Sequence, residues 1–110
     1  MILEQRVEDN TLIVRLVGRL DSASAPELEQ LVTEKIDAGQ KRLVFDLADM
    51  DYVSSAGLRV ILLAGKRLRV GGGKLALAGL REMVREVFEM SGFVSLFPIA
   101  PTVPEAVAKL

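Results

Sequence analysis

The stretch from Leu43 to Ala64 passes from a short apolar run into a helix, with only an acidic turn and two serines between them. Leu43-Val-Phe-Asp-Leu has the composition of a buried strand, while Leu58, Ile61, Leu62, Gly65 and Leu68 recur at helical spacing as one apolar stripe. A strand feeding a helix in this way points to an α/β domain, and it sets Ser54 and Ser55 at the mouth of the helix. There the first backbone N–H groups lack intrahelical acceptors and the macrodipole is positive. A serine hydroxyl caps such an end, and an added phosphoryl group is tolerated there electrostatically. Neither serine is followed three residues later by Glu or Gln, so a full capping box is absent. The residue types fit a plain cap and a phosphorylation switch alike.

Around this stretch the chain alternates strand-like and helix-like segments. Residues 2 to 8 and 12 to 20 read as two strands joined at Glu8-Asp9-Asn10, an opening hairpin. Pro26 marks the first turn of a helix whose apolar face is Leu28, Leu31, Val32 and Ile36, and Gly39 stops it. The strand at 42 to 47 follows, then the helix from Ser55 to about Arg69, with Lys66, Arg67 and Arg69 in its last turn beside the negative end of the dipole. Gly71-Gly-Gly ends that helix, and Lys74 to Ala78 is a further strand. A third helix over about Arg81 to Met90 places Val84, Val87 and Phe88 on one face and stops at Gly92. Residues 93 to 99 read as a last short strand or extended segment, and Pro104 to Leu110 as a final helical turn or two. The order β-β-α-β-α-β-α-β-α predicts one α/β domain over residues 1–110, with a mixed, mostly parallel sheet, an opening hairpin and about four helices. The strand ends that precede Asp21 and Ser54 are expected to lie near one edge of the sheet.

Composition then removes whole classes of function. The chain has 110 residues and a formal net charge of -1, which leaves no basic field for a nucleic-acid backbone. It has no cysteine and no histidine, so disulfides, thiolate metal sites and the commonest general base are excluded. The first ten residues carry acids and no long apolar region, unlike a secretory signal. The longest apolar run, Val60 to Ala64, falls far short of the roughly 20 residues a membrane helix needs. A cytoplasmic location without membrane insertion is the resulting expectation.

The remaining motifs read as structure. Asp46, Asp49 and Asp51 lack the spacing and the bidentate glutamate of a calcium loop and fit a solvated acidic turn. Gly71-Gly-Gly-Lys74 lacks the first glycine and the hydroxyl residue of a phosphate loop and precedes a strand, so it reads as a turn. Ser55 has neither the flanking glycines of a nucleophile elbow nor a histidine to take its proton, which argues against a serine hydrolase. Phe45, Phe88, Phe93 and Phe97 are expected in or near the core.

At Tyr52-Val-Ser-Ser-Ala-Gly-Leu-Arg-Val-Ile-Leu62 the sequence resembles the STAS family of bacterial anti-sigma factor antagonists, whose signature is Asp-Ser-(Ser or Thr)-Gly-Leu at a helix start. Gly18-Arg-Leu-Asp21, Leu43-Val-Phe-Asp-Leu47 and the closing Gly92-Phe93 to Phe97-Pro-Ile99 match further elements of that family in order, so the resemblance spans nearly the whole chain. It implies that Ser55 is the phosphorylated serine, with Ser54 at the family's aspartate and Ala56 at its Ser/Thr position. Because Ser54 replaces that aspartate, Ser54 is the alternative acceptor. The resemblance further implies a non-enzymatic docking protein whose partner-binding patch comprises Asp21, Ser54, Ser55, Ala56 and Gly57. Unphosphorylated, it would bind an anti-sigma factor that is also an ATP-dependent serine kinase and so release a sigma factor; a serine phosphatase would restore the docking form. No cofactor or metal is expected in this chain, since nucleotide belongs to the kinase. Related single-domain proteins also serve as constitutive, unphosphorylated subunits of transporter-associated or larger signalling complexes, which is the alternative function.

Overall fold

A computed structural model describes all 110 residues. Strands β1 (Ile2–Glu8) and β2 (Thr11–Leu20) form the antiparallel hairpin. Its two-residue loop, Asp9 and Asn10, has positive φ at both positions, 49° and 65°. Those angles match the right-handed twist of the flanking strands, and Asp and Asn are among the few residue types that adopt them readily. Helix α1 (Ala25–Asp37) leads to β3 (Arg42–Asp46), and β4 (Met50–Val53) leads to α2 (Ser55–Val70). Then follow β5 (Lys74–Ala78), α3 (Glu82–Met90), a single 3-10 turn at Phe93–Ser95, β6 (Ile99–Ala100) and α4 (Val103–Ala108).

The six-stranded sheet runs β1-β2-β3-β5-β6, with β4 paired to β2, and every pairing except the opening hairpin is parallel. Side chains alternate across it, as strand geometry requires. Leu12, Val14 and Leu16 of β2, Leu43 and Phe45 of β3, and Leu75 and Leu77 of β5 face one way and build the main core with Leu28, Val32, Leu58, Ile61, Leu68 and Phe88 from the three longer helices. Ile13, Val44, Ala76, Ala78 and Ala100 face the other way, where the short α4 covers them through Ala106. Phe45 and Phe88 are fully buried, Phe97 nearly so and Phe93 half-buried.

Two segments differ from the sequence reading. The acidic stretch expected as a turn contains β4, because β3 pairs only with Thr11–Arg15 of the ten-residue β2 and leaves the end of β2 uncovered. After a turn closed by the Met50 N–H to the Leu47 carbonyl at 3.1 Å, the chain resumes beside Gly18–Leu20. Between residues 93 and 99 the chain is mainly the 3-10 turn, and extended pairing begins only at Ile99.

Candidate functional site

The last residues of β2 and β4, Leu20 and Val53, are paired neighbours, and the Ser54 N–H donates to the Leu20 carbonyl at 2.9 Å. Asp21 and Ser54 therefore leave the sheet side by side, at the carboxyl ends of two parallel strands. The expected proximity is present, and β4 rather than β3 produces it. From Ser54 the chain turns into α2. Ser54 has extended backbone angles, its Oγ accepts from the Gly57 N–H at 3.2 Å, and its carbonyl accepts from the Leu58 N–H at 2.9 Å. It is the N-cap of α2, satisfying one of the donors orphaned at the helix start.

Ser55 is the first helical residue and is exposed, with its hydroxyl in no hydrogen bond within the chain. Ala56 is half-buried. Gly57, expected on the partner-facing patch, is instead buried against the end of β2. A Cβ there would come within 2.6 Å of Leu20 Cγ and 2.9 Å of the Leu20 carbonyl oxygen. Glycine at 57 is what lets the helix start approach the sheet, so its part in this site is clearance.

Asp21 organises the opposite loop. Its Oδ1 accepts from the backbone N–H groups of Ala23 at 3.0 Å and Ser24 at 3.1 Å, and its carbonyl accepts from the Ala25 N–H at 2.8 Å. Ser24 occupies the N-cap position of α1 without a side-chain cap bond, and Asp21 supplies the carboxylate there. The Ser24 N–H, then the Ser24 hydroxyl, the Ala23 N–H and the nearby Arg19, hold the Asp21 carboxyl below the usual carboxylate range, against an opposing effect of partial desolvation. Its Oδ2 lies 3.8 Å from Arg19 Nε.

Three residues beside this surface were not singled out by the sequence reading. The Arg19 guanidinium lies over the Tyr52 ring, 4.1 Å from its centroid, and Arg19 pairs with Tyr52 in the β2–β4 register. Finding that pair requires knowing that β4 exists. Arg59, one helical turn beyond Ser55, reaches Glu29 of α1 at 3.6 Å.

The neighbouring acids form no metal cage: no group of three or more His, Cys, Asp or Glu comes together. Asp49 is held by Arg15, whose Nε is 3.0 Å away, and Asp46 accepts from the Ala48 N–H at 3.2 Å. Gly71-Gly-Gly forms the turn between α2 and β5, with the Gly73 N–H donating to the Leu68 carbonyl. No helix is long and apolar enough to cross a membrane.

Residues 3–106 match the STAS domain family. The chain belongs to that family. STAS domains of this kind are non-enzymatic regulatory binding modules. This STAS domain is 51% identical over 92 residues to a Bordetella bronchiseptica protein named as an anti-sigma factor antagonist, BtrV, covering 84% of this chain and 79% of that one. Its fold is similar to that of a Thermotoga maritima protein likewise named as an anti-sigma factor antagonist, with a TM-score of 0.93 and 22% identity over 97% of this chain and 92% of the other. It is also similar to the Bacillus cell fate determinant SpoIIAA in its phosphorylated form, with a TM-score of 0.79 and 21% identity over 98% of both chains.

Proposed function

We propose that this STAS domain is a cytoplasmic anti-sigma factor antagonist whose docking is switched by phosphorylation of Ser55. Unphosphorylated, it binds an anti-sigma factor that is also a serine kinase and frees the sigma factor; phosphorylation at Ser55 ends the pairing and a serine phosphatase restores it. The observation that carries this reading is the division of labour between the adjacent serines. The Ser54 hydroxyl is engaged in capping α2, whereas the Ser55 hydroxyl is exposed and unbonded, open to a kinase. A Bordetella bronchiseptica relative 51% identical in sequence is named as an anti-sigma factor antagonist, and a protein of the same fold has been solved in a phosphorylated form.

Asp21, Ser54, Ser55 and Ala56 form the docking face in this reading, with Gly57 beneath them. A phosphoryl group adds about 1.5 to 2 negative charges beside Asp21, on a surface that loses its water when a partner docks. Repulsion and desolvation together of ~3 kcal/mol lower affinity about a hundredfold. The helix dipole offsets only about 0.3–1 kcal/mol of that, so the modification acts on docking while the fold persists.

The test is capture of a kinase from native lysate by the wild-type chain, Ser55→Asp, Ser55→Ala and Ser54→Ala, followed by phosphopeptide mapping with that kinase and ATP. Ser55→Asp should lose capture while both alanine variants keep it, and the label should fall on Ser55. Equal capture by all the variants would remove the switch from Ser55, and a label on Ser54 alone would move it one residue. An unlabelled chain co-purifying with a membrane ATPase would identify a constitutive subunit of a transporter-associated complex.

A further inference from the structure

At the end of α2 remote from Ser55, about 24 Å along a 16-residue helix, lies a cleft of about 250 Å³ that the switch does not use. The cleft exists because β6 is too short. It pairs only with Leu77 and Ala78 of β5 and leaves the edge of β5 at Lys74 and Leu75 uncovered. Helix α2 borders this open edge from one face of the sheet, and the end of α4 borders it from the other.

Three features of the lining point to the same ligand chemistry. Arg69, Lys74 and Lys109 all line the cleft, and no acidic residue does, in a chain whose net charge is -1. Arg69 is singular among the arginines: each of the others has an ion-pair or hydrogen-bond partner and Arg69 has none. Next, a backbone donor waits at the uncovered edge. The Lys74 N–H donates inward to the Lys41 carbonyl of the β3 side and the Leu77 N–H donates outward to Pro98. Alternation along the strand turns the Leu75 N–H outward as well, where β6 offers it no acceptor, although Leu75 is only 4% exposed. Finally, Leu75, Leu96 and Phe97 give the cleft an apolar wall. Cations and an N–H donor beside an apolar wall suit a small organic anion, with a carboxylate or phosphate group on a compact apolar body.

We infer that the cleft between the ends of α2 and α4, at the open edge of β5, is a binding site for a small apolar-bodied anion such as an aryl or alkyl phosphate or carboxylate. The anionic group pairs with Arg69 and Lys109 and accepts from the Leu75 N–H, while the body rests on Phe97 and Leu96. The site is independent of whether Ser55 is phosphorylated.

The experiment titrates the ¹⁵N-labelled full chain at low salt with phenyl phosphate and, separately, with inorganic phosphate, following backbone amide resonances. Phenyl phosphate should give saturable shifts at Gly73, Leu75 and Phe97 while Ser55 to Leu58 stay in place, and inorganic phosphate should bind about tenfold more weakly for want of an apolar body. Arg69→Gln and Lys109→Gln should each weaken phenyl phosphate binding about five- to tenfold. Both side chains project from the ends of helices, so their spectra away from the cleft report an intact fold, and either variant suffices if the other misfolds. Absence of saturable shifts up to about 10 mM, shifts centred on Ser55, or affinity unchanged in the two variants would overturn the site. Equal affinity for inorganic phosphate would mean an adventitious ion only. Binding of a peptide with a free C-terminus where phenyl phosphate fails would likewise overturn it, as marking a macromolecular contact.

Discussion

A methyl group at position 57 would meet both the side chain and the carbonyl oxygen of Leu20, and that carbonyl is held by the Ser54 N–H in the pairing of β2 with β4. Relieving the overlap would disturb that bond, so Gly57→Ala should destabilise the domain by about 1–3 kcal/mol in urea denaturation. Its two serine neighbours make a graded control. Ser54→Ala removes a cap and should cost about 1 kcal/mol, whereas Ser55→Ala removes an exposed, unbonded hydroxyl and should change stability by less than about 0.5 kcal/mol. A loss at Ser55 comparable to that at Ser54 would mean the hydroxyl of Ser55 has a structural task. At this scale the sequence left a real ambiguity, since both serines were competent caps and both were competent acceptors. The hydrogen bond from Gly57 to Ser54 Oγ resolved the first half of that ambiguity, because a helix start has one N-cap position and its register decides who fills it.

Elements impose their own constraints on the residues that join them. The loop entering α1 is stabilised by an ionised Asp21, whose carboxyl sits below its ordinary range because Ser24 and Ala23 donate to the charged form. A lowered folded-state value means that this stabilisation is present at neutral pH, above the range in which the unfolded chain takes up its proton, and is lost as pH falls through the folded-state value. Asp21→Asn should therefore lower the urea midpoint near neutrality and narrow the gap to wild type under acid, which equilibrium unfolding between about pH 2 and 7 measures. Helix α2 presents the opposite case, a glycine that its helix would not choose. Alanine at 65 would gain up to about 1 kcal/mol of helix propensity, yet its Cβ would lie 2.3 Å from Phe97 Cε1. Gly65→Ala alone should thus be destabilising, and in the Phe97→Leu background, which shortens the side chain facing it, the same change should cost less or turn favourable in a double-mutant cycle.

Across the whole molecule, the Ser55 surface and the charged cleft sit at opposite ends of one helix, and the main core runs unbroken between them. A phosphoryl group at the helix start adds charge where the dipole tolerates it, so the phosphorylated chain should keep its far-UV spectrum and shift its Tm by no more than about 5 °C in calorimetry. Docking to its partner should weaken about a hundredfold at the same time. Unfolding on phosphorylation would instead make the switch a collapse of the domain. Much of this architecture was legible in the chain. Amphipathic spacing located the three longer helices, with a final helical turn or two expected from Pro104 on, the Asp-Asn turn located the hairpin, and the motif at 52 to 62 located the candidate acceptor, because each of these signals is local. Strand β4 was not legible: its Met50 and Val53 are separated by polar residues, and it is extended only because the longer β2 leaves unpaired backbone beside it. With β4 hidden, the Arg19–Tyr52 stack and the burial of Gly57 were hidden too, since both depend on residues distant in the chain being brought into register. The open edge of β5 has the same origin, arising from where β6 stops rather than from anything written in residues 74 and 75. Local preferences determine which segments are helix or strand; which strand ends lie side by side, and which edges stay bare, is decided only when hydrogen-bond partners and a shared core are allotted across the whole chain.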